Sequence, residues 1–270
     1  MATISNIARW IPETDGERLF LAVYQFVAPS VPTLFEDQSW LVSSAGVTEL
    51  CRLIAAMELT YRCLNVSVEL YEVNDQASID ALMHRLRLVV GLHQRPDATR
   101  KIAQSARLAA IAYINRKLTT AKIAEVHRDA SKICCWCGTT TSRKKGTPPH
   151  SKATVEHLWP EFLGGTSMPE NLAIACEYCN TTRQHAFNWA WFATQAINEK
   201  LDANGALPRE ILLALALHRL IKVASGQTAL SESRMSLKDA VRLLKGAIPR
   251  LELEPKVRYT FFEILNHAME

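Results

Sequence analysis

Apolar side chains recur at helical spacing through most of this chain and at strand spacing in only a few short runs. Gly46–Val73 carries Leu50, Leu53, Ile54, Met57 and Leu64, which predicts a long helix, and Ser78–Leu92 predicts a second. In Asp97–Ser131 the residues Ile102, Leu108, Ile111, Ile114 and Leu118 form a stripe to bury, so a helical segment is expected there. Pro208 opens a helix to about Ala224 with the apolar run Ile211–Leu217 as its buried face. Ser236-Leu237-Lys238-Asp239 reads as a capping box opening another, and Val257–Ala268 supplies a last one. Arg18–Val27 reads as a strand. Thr154–His157 is a short strand that Pro160 prevents from extending, and Leu172–Ala175 is its apolar counterpart after the turn residues Met168-Pro169-Glu170. From Glu177 to about Asn198 the chain reads as a helix, with Trp189, Trp191 and Phe192 available to pack it. The pattern describes a mainly helical chain with a small pair of strands near its middle.

Cysteine placement adds chemistry to that middle. Five of the seven cysteines fall in two clusters, Cys134-Cys135-Trp136-Cys137 and Cys176-Glu177-Tyr178-Cys179, with 38 residues between them. A two-residue gap lets both thiolates of a pair reach one ion, and two such pairs at this separation suit a tetrahedral structural zinc. Gly138 follows the first pair, where a tight knuckle turn needs a residue that tolerates positive φ. The expected ligands are Cys134, Cys137, Cys176 and Cys179; Cys135 competes with Cys134 for the first position. Cys51 and Cys63 lie in an apolar helical stretch and are expected in the core. With no secretory signal ahead of these thiols, a disulfide framework is not expected.

Between the two pairs lie Glu156-His157, Pro160, Gly164-Gly165 and Asn171-Leu172, and the second pair is followed by Asn180 and Arg183. His157 and Asn171 are fourteen positions apart, and Asn171 and Asn180 nine. This series closely resembles the HNH nuclease family in its zinc-containing CxxC form with a ββα-metal core, over roughly residues 132–187. The resemblance implies a predominantly α chain with a small zinc-bound ββα-metal nuclease core inserted between helical flanks. It implies His157 as general base and Glu156 and Asn180 as ligands of a catalytic ion. Asn171 would brace the loop that orients His157, and Arg183 would contact a phosphate. Carboxylate and amide oxygens suit Mg²⁺ or Mn²⁺ better than zinc. On the helix read from Glu177, the residues Cys176, Cys179, Asn180 and Arg183 share one face. Adjacent strand residues point to opposite faces, so Glu156 and His157 can share a site only where the strand ends or bends.

Charge sharpens the division of the chain. The net charge is +4, with 48% hydrophobic residues and no apolar run near the roughly twenty residues of a membrane span. Residues 1–94 carry 6 basic and 11 acidic side chains, residues 95–145 carry 12 and 3, and residues 146–270 carry 13 of each. Four regions follow: an acidic, mostly helical 1–94 suited to a protein partner or regulation, a basic helical 95–131, a nuclease core over 132–198, and a helical 199–270 that braces it or meets a partner. Arg100, Lys101, Arg107, Arg116, Lys117, Lys122 and Arg128 decorate the basic segment. Arg143, Lys144 and Lys145 sit in a loop rich in turn formers and are expected to be mobile and to meet a nucleic acid backbone. The combined expectation is a cytoplasmic, metal-dependent HNH endonuclease acting on DNA, nicking by default, of the kind found in antiphage defence or restriction. A zinc-stabilised nucleic-acid-binding or adaptor protein without catalysis, and an RNA-cleaving nuclease, are the alternatives that these residues leave open.

Overall fold

The computed structural model describes residues 9–27, 44–93, 95–129, 132–186, 199–200, 207–251, 253–254, 258–259 and 264. Five helices precede the central strands: α1 (Asp15–Val27), α2 (Ser44–Val73), α3 (Ile79–Val90), α4 (Pro96–Ile114) and α5 (Thr120–Asp129). β1 (Ala153–His157) and β2 (Leu172–Cys176) pair antiparallel, with Val155 opposite Ile174 and His157 opposite Leu172. Between them lie two 3-10 turns, Glu161–Leu163 and Pro169–Asn171, and α6 (Glu177–Ala186) follows β2 directly. β3 (Glu199–Lys200), α7 (Arg209–Ala224), α8 (Leu237–Leu244) and β4 (Arg258–Tyr259) complete the described elements. The molecule is mainly helical with a small antiparallel sheet at its centre, and among the described residues no helix is long and apolar enough to cross a membrane.

Several elements follow from local chemistry. Ser78 caps α3, accepting the Ala81 N–H at 3.1 Å, and Ser236 caps α8, accepting the Asp239 N–H at 3.1 Å. Pro208 stands at the N-cap of α7, whose Ile211 and Leu213–Leu217 are all buried. Cys63 is buried in α2, as expected, while the Cys51 side chain lies outside the described ones.

Arg18–Val27 is helical, not a strand. The reason is a capping box at Thr14-Asp15-Gly16-Glu17: Thr14 Oγ1 accepts the Glu17 N–H at 3.1 Å, and Glu17 Oε2 accepts the Thr14 N–H at 2.8 Å. Leu19, Phe20, Val23, Tyr24 and Val27 then fall on one buried helical face. Glu17 is itself buried; burial pushes its carboxyl above the usual range even though Trp10 Nε1 donates to it at 2.9 Å.

The Asp97–Ser131 segment is two helices rather than one, separated at residues 115–119, and residues 130–131 lie outside those described. Its expected stripe is also displaced. Ile102 is buried, but Leu108, Ile111, Ile114 and Leu118 are 39–52% exposed. The face that packs on α1 and α2 is instead Thr99, Ile102, Ala103, Ala106, Ala109 and Ala110. Small side chains let three helices approach closely, and that close approach decides the orientation against the larger apolar residues. Arg258–Tyr259, expected in a helix, pair as a strand with Glu199–Lys200. The rest of the expected Val257–Ala268 helix, apart from Ile264, and the Trp189–Phe192 part of the helix from Glu177 lie outside the described residues.

The N-terminal helices rest on the central sheet region through backbone contact. The loop after β1 turns at Gly164, φ +87°, and a Cβ there would lie 2.9 Å from Gly16 Cα. A Cβ on Gly16 would lie 2.6 Å from the Leu163 carbonyl oxygen. Trp10 and Phe20 close the contact around Trp159, with ring centroids 5.8 and 4.9 Å away. Gly16→Ala is therefore expected to cost about 1–3 kcal/mol through overpacking. The check is thermal or urea unfolding, where a midpoint equal to that of the parent protein would refute the contact.

Candidate active site

The first cysteine pair sits on a tight turn. The Cys134 N–H donates to Thr139 O at 2.8 Å, and the Gly138 N–H returns to Cys134 O at 2.9 Å. Gly138 has φ +73°, and a Cβ on it would lie 3.0 Å from Lys245 O. The second pair straddles the start of α6, where the Cys179 N–H points at Cys176 Sγ at 3.4 Å. The sulfurs of Cys134, Cys137, Cys176 and Cys179 all lie within 4.8 Å of one another. A zinc tetrahedron with bonds of about 2.3 Å has edges of about 3.8 Å, and Cys137 Sγ is 3.9 Å from Cys176 Sγ.

Cys135 is outside this cluster. Its N–H donates to Ile174 O at 2.8 Å and its carbonyl accepts from the Ala247 N–H at 2.9 Å, which holds it between β2 and the segment after α8. The competition between Cys134 and Cys135 is thus resolved for Cys134 by the backbone. Within the cluster the thiols hydrogen-bond one another, which draws Cys137 far down and Cys176 down to about 7 while pushing Cys134 and Cys179 up. Four thiol donors gathered at this spacing fit a divalent soft or borderline metal ion.

At the far end of β1 a cleft of about 300 Å³ gathers Glu156, His157, Asn180 and Arg183 with Tyr113, Arg116, Pro160, Glu161 and Phe162. Glu156 and His157 both reach it because β1 ends at His157. Below His157, Asn171 is buried and ties the loop together: its Oδ1 accepts the Trp159 N–H at 2.6 Å, and its Nδ2 donates to Trp159 O and Thr166 O, both at 2.9 Å. These are the side-chain-to-backbone bonds expected of a brace. His157 Nε2 lies 3.1 Å from Ser167 Oγ and 3.7 Å from Glu161 Oε1. Burial holds the His157 imidazole below its ordinary pKa, the nearby Arg116 adds to this, and Glu161 opposes it.

Two groups in the cleft have the donor atoms for a hard cation. The buried Glu156 Oε2 has no hydrogen-bond partner among the described residues. Asn180 uses its amide N–H groups on β1, donating to Thr154 Oγ1 at 3.1 Å and Val155 O at 2.9 Å, which turns its carbonyl oxygen away from that strand. A carboxylate and an amide oxygen are ligands of the type Mg²⁺ or Mn²⁺ takes.

Arg183 is placed differently from the expected phosphate contact. It is buried, and its guanidinium donates to Glu156 Oε1, to His157 O at 2.7 Å and to Leu158 O at 2.7 Å. It also stacks 4.4 Å from the Trp136 ring. Burial lowers its pKa to about 9, which leaves it cationic at neutral pH. The helical phase places Arg183 correctly beside β1, but the length of its side chain carries the charge inward.

Arg143 and Lys144 are exposed and line a separate basic pocket of about 420 Å³ with His127, Lys132, Thr141 and Ser142; Lys145 is exposed beyond it. Their loop is anchored rather than loose. Ser142 N–H donates to Ser151 O at 2.7 Å, Ala153 N–H to Ser142 O at 2.9 Å, and Tyr178 N–H to Pro149 O at 3.0 Å. The sequence did not point to Glu161, Ser167, Tyr113 or Arg116 as neighbours of His157. Glu161 stands four positions after His157, a spacing legible in hindsight, whereas Arg116 arrives only by tertiary packing.

Residues 134–186 match a family model described as HNH endonuclease. No curated protein and no solved structure matches the chain. Cleft, brace and cysteine cluster all fall within the matched span, except the flanking Tyr113 and Arg116. Purified protein is expected to hold one zinc per chain by elemental analysis, to lose it in Cys134→Ser and to keep it in Cys135→Ser. The opposite pattern in the two variants would reverse the ligand assignment.

Proposed function

The chain carries an HNH endonuclease domain over residues 134–186, and we propose that it hydrolyses DNA phosphodiester bonds with the help of a divalent ion. In this reading β1, β2 and α6 form the ββα-metal core, and zinc on the four cysteines fixes the start of α6 against the sheet. The observation that carries it is the convergence of an unpartnered carboxylate oxygen of Glu156, the Asn180 amide and the His157 imidazole on one cleft.

His157 takes a proton from the attacking water as its oxygen joins phosphorus. The bond from phosphorus to the 3′ oxygen breaks in line, and the departing oxygen is protonated by solvent. An ion held by Glu156 and Asn180 would supply charge stabilisation to the phosphate and the leaving oxygen. Asn171 acts through the loop 158–171, keeping the backbone on either side of Trp159 in place so that His157 stays at the strand end. Arg183 acts by fixing Glu156 and the His157 and Leu158 carbonyls. The basic pocket at Arg143 and Lys144 suits a flanking stretch of phosphate backbone, a contact that adds affinity without reading sequence. One such site cuts one strand, so the expected product is a nick.

Supercoiled plasmid incubated with the protein and Mg²⁺ or Mn²⁺ is expected to yield open circles. His157→Ala should lower the rate about 10²–10⁴-fold, the range for loss of a general base, while EDTA abolishes it. Linear product would indicate paired sites, and intact plasmid with folded, zinc-loaded protein would argue against the reading. A second expectation concerns the basic pocket: Arg143→Ala with Lys144→Ala should weaken DNA binding and reduce its salt dependence by about one unit of log–log slope per charge. Titrations of labelled duplex at several salt concentrations measure that slope directly.

A further inference from the structure

With Arg183 turned inward, the cleft takes its outer positive charge from a different element. Arg116 lies in the turn after α4, outside the span matched by the family model. It is held in place before any ligand arrives: its Nη1 donates to Tyr113 O at 2.7 Å, and its guanidinium carbon is 3.4 Å from the centroid of the Tyr113 ring. Its side chain nevertheless remains 30% exposed and lines the same cleft as His157, Glu156 and Asn180. A guanidinium that is oriented by its own turn and still reaches solvent is well suited to meet an incoming anion.

An oxygen already occupies the position between this cation and the imidazole. Glu161 Oε1 is 3.7 Å from Arg116 Nε and 3.7 Å from His157 Nε2. Both separations exceed good hydrogen-bond length, and Glu161 is 45% exposed, so the carboxylate is held loosely. We propose that Arg116 is the phosphate-binding cation of the cleft, and that Glu161 stands in the free protein where a non-bridging phosphate oxygen sits in the complex. A substrate phosphate displaces the carboxylate and inherits both neighbours, which places phosphorus beside His157. The helical segment before the matched domain thereby completes the site. This assignment rests on the nuclease reading above and names the residue that receives the scissile phosphate.

A purely structural Arg116–Glu161 contact and a phosphate site make different demands on the two partners. If the pair only ties the α4 turn to the loop after β1, Arg116→Ala and Glu161→Gln weaken the protein in the same direction. If Glu161 is a placeholder, removing its charge favours the phosphate while removing the Arg116 charge opposes it.

The experiment compares the parent protein with Arg116→Ala, Arg116→Lys and Glu161→Gln in two arms. One arm follows plasmid nicking with Mn²⁺; the other follows binding of a fluorescent DNA duplex in EDTA, and melting temperatures are recorded for every protein. The expected result is a fall of about 10- to 100-fold in kcat/KM for Arg116→Ala at unchanged melting temperature, the range for loss of a charged hydrogen bond. Partial recovery is expected in Arg116→Lys. Glu161→Gln should bind the duplex more tightly and show a lower KM. Parent-like cutting and binding by Arg116→Ala, or parallel losses in Arg116→Ala and Glu161→Gln, would overturn the proposal. If the parent protein fails to cut, the nuclease reading falls, and the binding arm alone decides whether Arg116 holds phosphate and Glu161 opposes it.

Discussion

A guanidinium buried at the centre of the domain joins its two halves. Arg183 leaves α6, stacks on Trp136 from the first cysteine turn, and ends on Glu156 and the carbonyls of His157 and Leu158. Taking an arginine and a carboxylate out of water is expensive, and the cost is offset only when geometry is good and the remaining donors are satisfied. Here the carbonyls supply those acceptors. The consequence is a rigid link from the cysteine cluster to the strand end that carries His157. Loss of either partner would leave a buried charge uncompensated, a penalty of about 3–5 kcal/mol. The strand sets the backbone of Glu156 opposite Ala173, and Arg183 fixes one oxygen of its carboxylate.

The loop between β1 and β2 is the next constraint, and it is fixed from both sides. From within, Asn171 satisfies the backbone of Trp159 and Thr166, polar groups that would otherwise be buried unpaired. From outside, α1 presses on it at Gly16 and Gly164, with Trp10 and Phe20 packed on Trp159. Residues 1–94 read as a separate acidic region by charge alone, yet Trp10 and α1 share one apolar cluster with Trp136, Leu158 and Trp159. Of the region's acidic side chains, Glu17 is buried under Trp10, and Asp80 forms a surface pair with Arg100 of α4 at 2.8 Å.

What the sequence made legible was chemistry tied to fixed spacing. The spacing within each cysteine pair and the capping box at Ser236 depend on residues a few positions apart, where backbone geometry leaves little freedom, and the two short strands stand out by their apolar runs on either side of the turn at Pro169. The same kind of signal was present at Thr14-Asp15-Gly16-Glu17, where a capping box outweighs the strand-like residues that follow. Tertiary decisions were not legible. On α4 the large apolar residues lost the core to an alanine face, because neighbouring helices set the available separation. Arg183 and Arg116 carry the same charge and both line the cleft, but only packing decides that one is enclosed and the other reaches solvent.

The donor chemistry changes within one turn at the start of α6. Cys176 and Cys179 place sulfur at the start of α6, and one position later Asn180 lines the cleft that also holds Glu156 and His157. Thiolates select soft or borderline ions and oxygens select hard ones, so neighbouring residues sort metals by chemistry rather than by distance. The Cys134–Cys179 cluster is largely buried, which suits an ion that stays for the life of the fold. The Glu156–Asn180 end lines the open cleft, with carboxylate and amide oxygens of the type a hard ion takes. Arg183 joins the two ends, stacking on Trp136 of the first cysteine turn and donating to Glu156 at the cleft, so that the cysteine cluster and the cleft share one buried link.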